Sequence, residues 1–417
     1  MKLLNALIKK IKTKNSRILV ENFISLSSVH VLNLVMPLLV LPHLVSTLKI
    51  ELYGLVVLGI TLTNYFLTLT DYSFSITGTR AVSSNRNSPK RLNYIYSKIL
   101  FVKVFFLLIS TIIYFIVVIS FSSLRSNYLI FLYSYPILIG YAFNVDWFFQ
   151  GMEEMKYLTI VSAASKLFFA ISILFLIDSS NDYLLHPIIN SLSYLITAVI
   201  SNVILFKLYK IRVYRLRRQV VIDYIKLNFP IFVNQFFPTF YNNSSLFLLG
   251  LIGGPSSLGL LDSIKKITDV CVRIINIFSR VFFPYLTRKH KSFNAYCYLM
   301  IFISGMMLIS ILLFNRMIFS YIGIDHNDSF SILLILSLGI VFIALYDIFG
   351  INYFIVKGMD KIVMYNTIAA SLIGAILSVP AIVFFGAIGS ALILTISRGF
   401  MGFGMLYKYL RLNGRTV

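Results

Sequence analysis

Twelve stretches of about 17 to 25 predominantly apolar residues follow one another along this chain, near 22–45, 52–74, 99–120, 127–149, 156–177, 184–206, 228–252, 258–284, 293–314, 330–354, 362–384 and 386–407. A helix of that length crosses the ~30 Å hydrocarbon layer of a bilayer. Lipid offers no hydrogen bonds to backbone amides, so only helices and closed barrels span it, and continuous apolar runs of this length specify helices. Composition agrees: 58% of residues are hydrophobic and 12% charged, where a soluble domain carries roughly a quarter charged. The expected class is an all-α membrane protein with twelve transmembrane helices.

The Lys and Arg residues orient it. Only Lys49, Arg125 and Arg316 fall in odd-numbered loops, whereas the N-terminal tail, the even-numbered loops and the C-terminus hold twenty-seven of the 37. Basic loops stay in the cytoplasm, so both termini are expected there. The net charge of +22 then reflects topology and contact with anionic headgroups, and nucleic acid is not an expected partner. The first apolar run is too long for a signal peptide and lacks a small-residue cleavage site, so it reads as the first span. Cys271 and Cys297 have no metal-ligand spacing and read as small buried hydrophobes.

Polar groups interrupt the hydrocarbon in one place. Asp262, Lys266, Asp269, Arg273, Asn276 and Arg280 recur every three or four residues, which is one stripe on one helix, roughly 27 Å long. Charges at membrane depth cost several kcal/mol unless they pair or face water, and they mark substrate or ion pathways. Asp262–Lys266 and Asp269–Arg273 have the favoured acid-first i, i+4 order, which leaves Lys265 and Arg280 as the surplus. That surplus suits an anion in a hydrated cavity; the competing expectation is that acids on other helices, Asp71, Asp146 or Asp347, satisfy the charges, with Arg398 pairing to one of them. Lys103, one turn inside its span, is expected to snorkel. Lys166 and His30 lie deeper. Asp146 beside Trp147 reads as an interface anchor.

A faint repeat runs through the chain. Asn22-Phe23 returns as Asn228-Phe229, Gly54-Leu55 as Gly259-Leu260, and Gly151-Met152-Glu153 as Gly358-Met359-Asp360, at offsets of 205 to 207. Six helices per copy give parallel repeats. The expected organisation is an N-terminal six-helix bundle over 1–206, a basic cytoplasmic linker over 207–226 and a C-terminal six-helix bundle over 227–417. The linker's alternating aromatic, aliphatic and basic residues suit an interfacial helix on anionic lipid, or a plain solvated loop. The charged stripe maps back onto Thr61, Asn64, Thr68, Asp71 and Ser75, so Asn64, Thr68 and Asn276 are candidate polar groups of a shared cavity. Prolines 37, 42, 230, 238 and 380 mark helices expected to bend. No P-loop, Gly-x-Ser-x-Gly or clustered His/Cys set is present; neither an enzyme nor a cofactor or metal centre is expected. Asp325-His326-Asn327-Asp328 reads as an exposed turn.

Residues 144–160, which contain Asp146-Trp147-Phe148-Phe149-Gln150-Gly151-Met152-Glu153, resemble the Asp-Trp-Phe-x-Gly-x-Glu stretch of Wzx-type O-antigen repeat-unit flippases, in the polysaccharide-transport branch of the multidrug/oligosaccharidyl-lipid/polysaccharide exporters. Pro37 to Pro42 followed by Leu52-Tyr53-Gly54, and Asp71-Tyr72-x-Phe74 followed by Thr77-Gly78-Thr79-Arg80, are similar as well. Two departures stand out: Ser73 replaces the usual Gly, and Lys49-Ile50 replaces Leu-Gly, which would loosen the turn between the first two spans. The resemblance implies a MATE-like, V-shaped pair of bundles in the bacterial inner membrane. Such a protein carries undecaprenyl-diphosphate-linked oligosaccharide to the periplasmic leaflet by alternating access, with H⁺ or Na⁺ as a candidate coupling cation and the polymerase and chain-length machinery as candidate partners. Under it, Lys265, Lys266, Arg273, Arg280 and Arg398 would bind diphosphate or acidic sugar, while Asp262, Asp269 and Asp71 would tune those cations or take the coupling ion. A drug or cation exporter of the same fold, which would want an acidic cavity, and an O-antigen polymerase, which would carry a long periplasmic loop, are the alternatives.

Overall fold

A computed structural model describes residues 14–288 and 293–413. The tail residues Lys2, Lys9, Lys10 and Lys12, the loop residues Lys289 and Lys291, Arg415 and the side chain of His30 lie outside the described residues. Those described are almost entirely helical. The helices are α1 (Lys14–Asp71), α2 (Phe74–Ser83), α3 (Pro89–Ser120), α4 (Ser122–Arg125), α5 (Tyr128–Ser134), α6 (Pro136–Phe143), α7 (Asp146–Met152), α8 (Met155–Leu176), α9 (Leu185–Tyr209), α10 (Arg218–Leu248), α11 (Gly254–Arg288), α12 (Phe293–Leu313), α13 (Asn315–Ile322), α14 (Ser329–Leu345) and α15 (Asp360–Asn413). Two π-helical segments, Leu249–Gly253 and Tyr346–Ile355, continue α10 and α14.

Nine helical stretches among the described residues are long and apolar enough to cross a membrane, and three of them, Val31–Ser83, Asn243–Thr287 and Asp360–Leu412, run to 53, 45 and 53 residues. Each of those three is long enough for two crossings, which is consistent with twelve. The turns inside them fall at Lys49 (φ 60°), Gly254 (φ 84°) and Gly386 (φ 54°). They do not fall at the prolines: α1 and α15 stay helical through Pro37, Pro42 and Pro380.

The described chain separates into two compact units. One comprises residues 14–40, 66–177 and 184–233; the other comprises 41–65, 178–183 and 234–413. Residues 41–65, expected in the N-terminal bundle, thus pack with the C-terminal residues. Gly54 of α1 and Gly259 of α11 show why. A Cβ on Gly54 would stand 1.8 Å from the Pro255 carbonyl oxygen, and a Cβ on Gly259 would stand 2.3 Å from that of Ile50. The contact is reciprocal: two glycines 205 residues apart, which the sequence alignment of the halves pairs, let α1 and α11 meet backbone to backbone where neither carries a side chain.

In the first unit, aromatic and aliphatic residues of α2, α3 and α7 form the core, including Phe74, Val82, Ile99, Trp147, Phe148 and Phe149. Trp147 is therefore a core residue, 3% exposed, and not the interface anchor expected. Gly78 makes room for its indole, and Gly151 lets α7 lie on Val82 and the Thr79 carbonyl. Arg86 then donates to the Gly151 carbonyl at 2.7 Å and to Glu153 at 2.7 Å, holding the Glu153 carboxyl below the usual carboxylate range. The stretch from Asp146 to Glu153 is thus a packing lock.

The linker corrects another expectation. Residues 210–217 form no helix. They make a strap on α3, where the Arg212 amide donates to Asn93 Oδ1 (3.1 Å) and the Tyr214 amide to Ser97 Oγ (2.8 Å). Arg212, Arg215, Arg217 and Arg218 stay exposed and available to anionic headgroups. Cys271 and Cys297 are free and half-buried.

Ser73 holds φ 69° between α1 and α2, the left-handed region that glycine adopts without strain, and its buried hydroxyl has no partner. Ser73→Gly is expected to stabilise the protein by about 1 kcal/mol, read as a rise in thermal unfolding temperature in detergent.

Candidate functional site

The charged stripe lies on α11 and is built entirely within the second unit. Its position in the helix follows from the apolar residues between the charges: Leu258, Leu261, Ile264 and Ile275 are fully buried, which fixes the opposite face and leaves the polar stripe at the edge of the packing.

Two ion-paired groups result. At one, Asp262 Oδ2 accepts from the Tyr53 hydroxyl (2.6 Å) and pairs with Lys266 Nζ (3.0 Å). Lys266 also donates to the Tyr53 oxygen and sits 5.0 Å from the ring centroid. The Asp262–Lys266 pair is the one expected; Tyr53, 1% exposed, is the partner the sequence did not reveal. At the other group, Asp269 accepts from Lys265 and from Arg398 Nη2 (3.3 Å). The expected Asp269–Arg273 pair is absent, and Lys265 is not surplus. Asp269 is four residues from both bases, and it leans toward Lys265 and the buried Arg398 of α15. Arg398 itself is 4% exposed. Gly339 makes its slot, since a Cβ there would stand 3.0 Å from Nη1, and Nη1 has no hydrogen-bond partner.

Arg273 and Arg280 are exposed and make no ion pair among the described residues. They are the real surplus. Asn276 of the same helix is half-buried, as are Asn64 and Thr68 of α1. Five bases stand against Asp262 and Asp269, so the site carries net positive charge whatever the pairing. Such a surface attracts anions, and its Arg forks match phosphate and carboxylate.

Asp71 belongs to the first unit and has a different partner. Lys103 Nζ lies 3.3 Å from Asp71 Oδ1 and 3.4 Å from the Asn144 carbonyl, and Lys103 is 3% exposed. It does not snorkel. The 32-residue α3 begins at Pro89, about three turns before the apolar run, which places Lys103 near mid-helix. Asp146 is held by Asn144 Nδ2 (2.8 Å), and Lys166 lies over the Tyr194 ring at 5.8 Å.

Comparisons with known proteins give the family and the fold. The family described as "Polysaccharide biosynthesis protein" matches residues 19–290. A protein of Escherichia coli (strain K12) named as an O-antigen transporter is 24% identical over 387 residues, covering 90% of this chain and 92% of the relative. A Shigella dysenteriae protein named in the same way is 24% identical, covering 88% and 94%. Among solved structures, the lipid II flippase MurJ in an inward closed conformation superposes with a TM-score of 0.69 at 15% identity, covering 94% of this chain and 87% of that one. An inward-facing multidrug resistance MATE transporter of the MOP superfamily gives 0.68 at 13% identity, covering 94% and 98%. At those identities the two structures share the fold.

Proposed function

We propose, for a chain that belongs to the polysaccharide biosynthesis protein family, that it is a flippase for lipid-linked oligosaccharide and moves O-antigen repeat units on an undecaprenyl-diphosphate carrier. The observation that carries this reading is the excess of base at the α11 stripe: Lys265, Lys266, Arg273, Arg280 and Arg398 against Asp262 and Asp269. A diphosphate brings the opposite charge, and a hydrated stripe accepts the hydroxyls of a glycan. Arg273 and Arg280 make first contact with the anion because no acid holds them. Asp262 and Asp269 tune the neighbouring bases, each already engaged by a lysine. Asn64 and Asn276, both half-buried, offer neutral hydrogen bonds to sugar.

In this reading the chain lies in the bacterial inner membrane with both termini cytoplasmic. Cargo passes from the cytoplasmic to the periplasmic leaflet by alternating access, and the polymerase and chain-length machinery receive it. The two O-antigen transporter relatives and the fold shared with a lipid II flippase support it. A cation-drug exporter would need the opposite sign of charge at the stripe.

The test is complementation of a deletion strain, with surface O-antigen and lipid-linked repeat units both assayed. Arg273→Ala is the clean variant, because removing Arg273 unpairs no acid. Expected is at least a tenfold loss of display at normal protein level, with lipid-linked units accumulating on the cytoplasmic side. Units accumulating on the periplasmic side would indicate a polymerase.

A further inference from the structure

Between Lys207 and Arg218 the chain carries six bases in twelve residues and no acid: Lys207, Lys210, Arg212, Arg215, Arg217 and Arg218. All six are exposed, and none makes an ion pair among the described residues. The strap that holds most of them is fixed in place. Ile211 is buried in the first unit's core, and the Arg212 and Tyr214 amides bond to Asn93 and Ser97, four residues apart on one face of α3. The backbone under the bases is therefore pinned, unlike that of a free loop.

Beside the strap, and wholly within the first unit, lies an apolar groove of about 400 Å³. Leu100 of α3, Ile139 and Phe143 of α6, and Leu195, Val199 and Phe206 of α9 wall it, and Val213 of the strap lines it too. Val199, Phe206 and Val213 are exposed, so it opens outward. Its two polar side chains are engaged inside the protein: the Tyr96 hydroxyl donates to Asn202 Oδ1 (3.1 Å), and Asn202 Nδ2 donates to the Phe143 carbonyl (2.7 Å) and the Ala198 carbonyl (2.8 Å). The groove thus offers hydrocarbon and little for a sugar. From Leu195 to Phe206 it follows about 16 Å of α9, roughly half the ~30 Å hydrocarbon thickness of a bilayer. Phe206 adjoins Lys207 and Val213 adjoins Arg212, so the bases stand at one end of it.

An apolar groove one leaflet long with pinned cations at its end matches the shape and charge of a single membrane lipid. We propose that it is a binding site for an anionic glycerophospholipid, with one acyl chain in the groove and the phosphate held by Arg212 and Arg215 of the strap. Charge selects this occupant. Guanidinium forks match phosphate oxygens, and basic clusters beside a helix end hold anionic headgroups, whereas a zwitterionic headgroup brings an ammonium that the same bases repel. Length separates it from a polyprenyl carrier, whose tail is several times longer than the groove. The bound lipid ties the strap to α9 and α6, so occupancy stabilises the first unit and keeps the linker on α3.

The site goes beyond the transport reading, and its test needs no cargo. Purified full-length chain in neutral detergent is titrated with phosphatidylglycerol, or with phosphatidylcholine of the same acyl chains, and both retained lipid and thermal unfolding are measured. Expected is about one phosphatidylglycerol retained per chain, with a saturable rise in unfolding temperature, and a response to phosphatidylcholine about tenfold weaker or less. Arg212→Gln combined with Arg215→Gln should weaken phosphatidylglycerol binding by about tenfold or more, as the loss of two bases at a headgroup dictates. Val199→Trp, which fills the groove from its exposed side and alters no charge, should weaken it comparably. Arg125→Gln combined with Arg316→Gln removes two exposed bases elsewhere and should change nothing. Equal responses to the two lipids would overturn the proposal. So would phosphatidylglycerol binding that survives either the paired Arg212 and Arg215 substitutions or Val199→Trp, or retention of undecaprenyl phosphate in place of phosphatidylglycerol.

Discussion

Gly259→Val is expected to leave little folded protein. A Cβ at Gly259 would lie 2.3 Å from the Ile50 carbonyl oxygen and within 3.2 Å of the Gly54 Cα. These are backbone atoms of a packed helix, so no side chain can swing aside. Ordinary overpacking costs about 1–3 kcal/mol, and forcing two helix backbones apart belongs at or above the top of that range. Gly54→Val should behave alike, its Cβ meeting the Pro255 carbonyl oxygen at 1.8 Å. Gly305→Ala is the control, because nothing lies within 4 Å of a Cβ there. Yield, monodispersity and unfolding temperature in detergent measure the effect. Wild-type behaviour of Gly259→Val would mean that the backbone contact between α1 and α11 does not exist.

The second large effect is at Lys103. Removing its ammonium strands the Asp71 carboxylate, whose side chain is 9% exposed. Breaking a buried pair from one side costs about 3–5 kcal/mol, because the remaining charge is uncompensated. Lys103→Met keeps the chain volume, so the loss reports charge more than packing. Adding Asp71→Asn to it should recover part of the loss, and the double-mutant cycle should give a coupling of at least about 1 kcal/mol. Strict additivity would contradict the pair.

These two sites show what the sequence could and could not carry. The long apolar runs and the three-four rhythm of the stripe depend only on bilayer thickness and helix pitch, so both were legible. The Gly54/Gly259 repeat was legible too, although its meaning as a contact was not. Pairs between distant helices left no trace. Tyr53 and Asp262 are 209 residues apart, Arg398 and Asp269 are 129, and nothing in local spacing links them. The Asp269–Arg273 expectation failed for that reason: i, i+4 geometry admits Lys265 as readily as Arg273, and the choice between them is made where Arg398 of α15 reaches the same carboxylate. Lys103 was misplaced because the apolar run began ten residues after the helix did.

Movement of a lipid-linked oligosaccharide across a bilayer is measured most directly in proteoliposomes that contain the purified chain and a fluorescent undecaprenyl-diphosphate oligosaccharide, with a membrane-impermeant quencher reporting which leaflet holds the glycan. Expected is protein-dependent exchange between leaflets well above that of empty vesicles, reduced at least tenfold by Arg273→Ala. Exchange equal to that of empty vesicles, with a correctly folded and oriented protein, would contradict it.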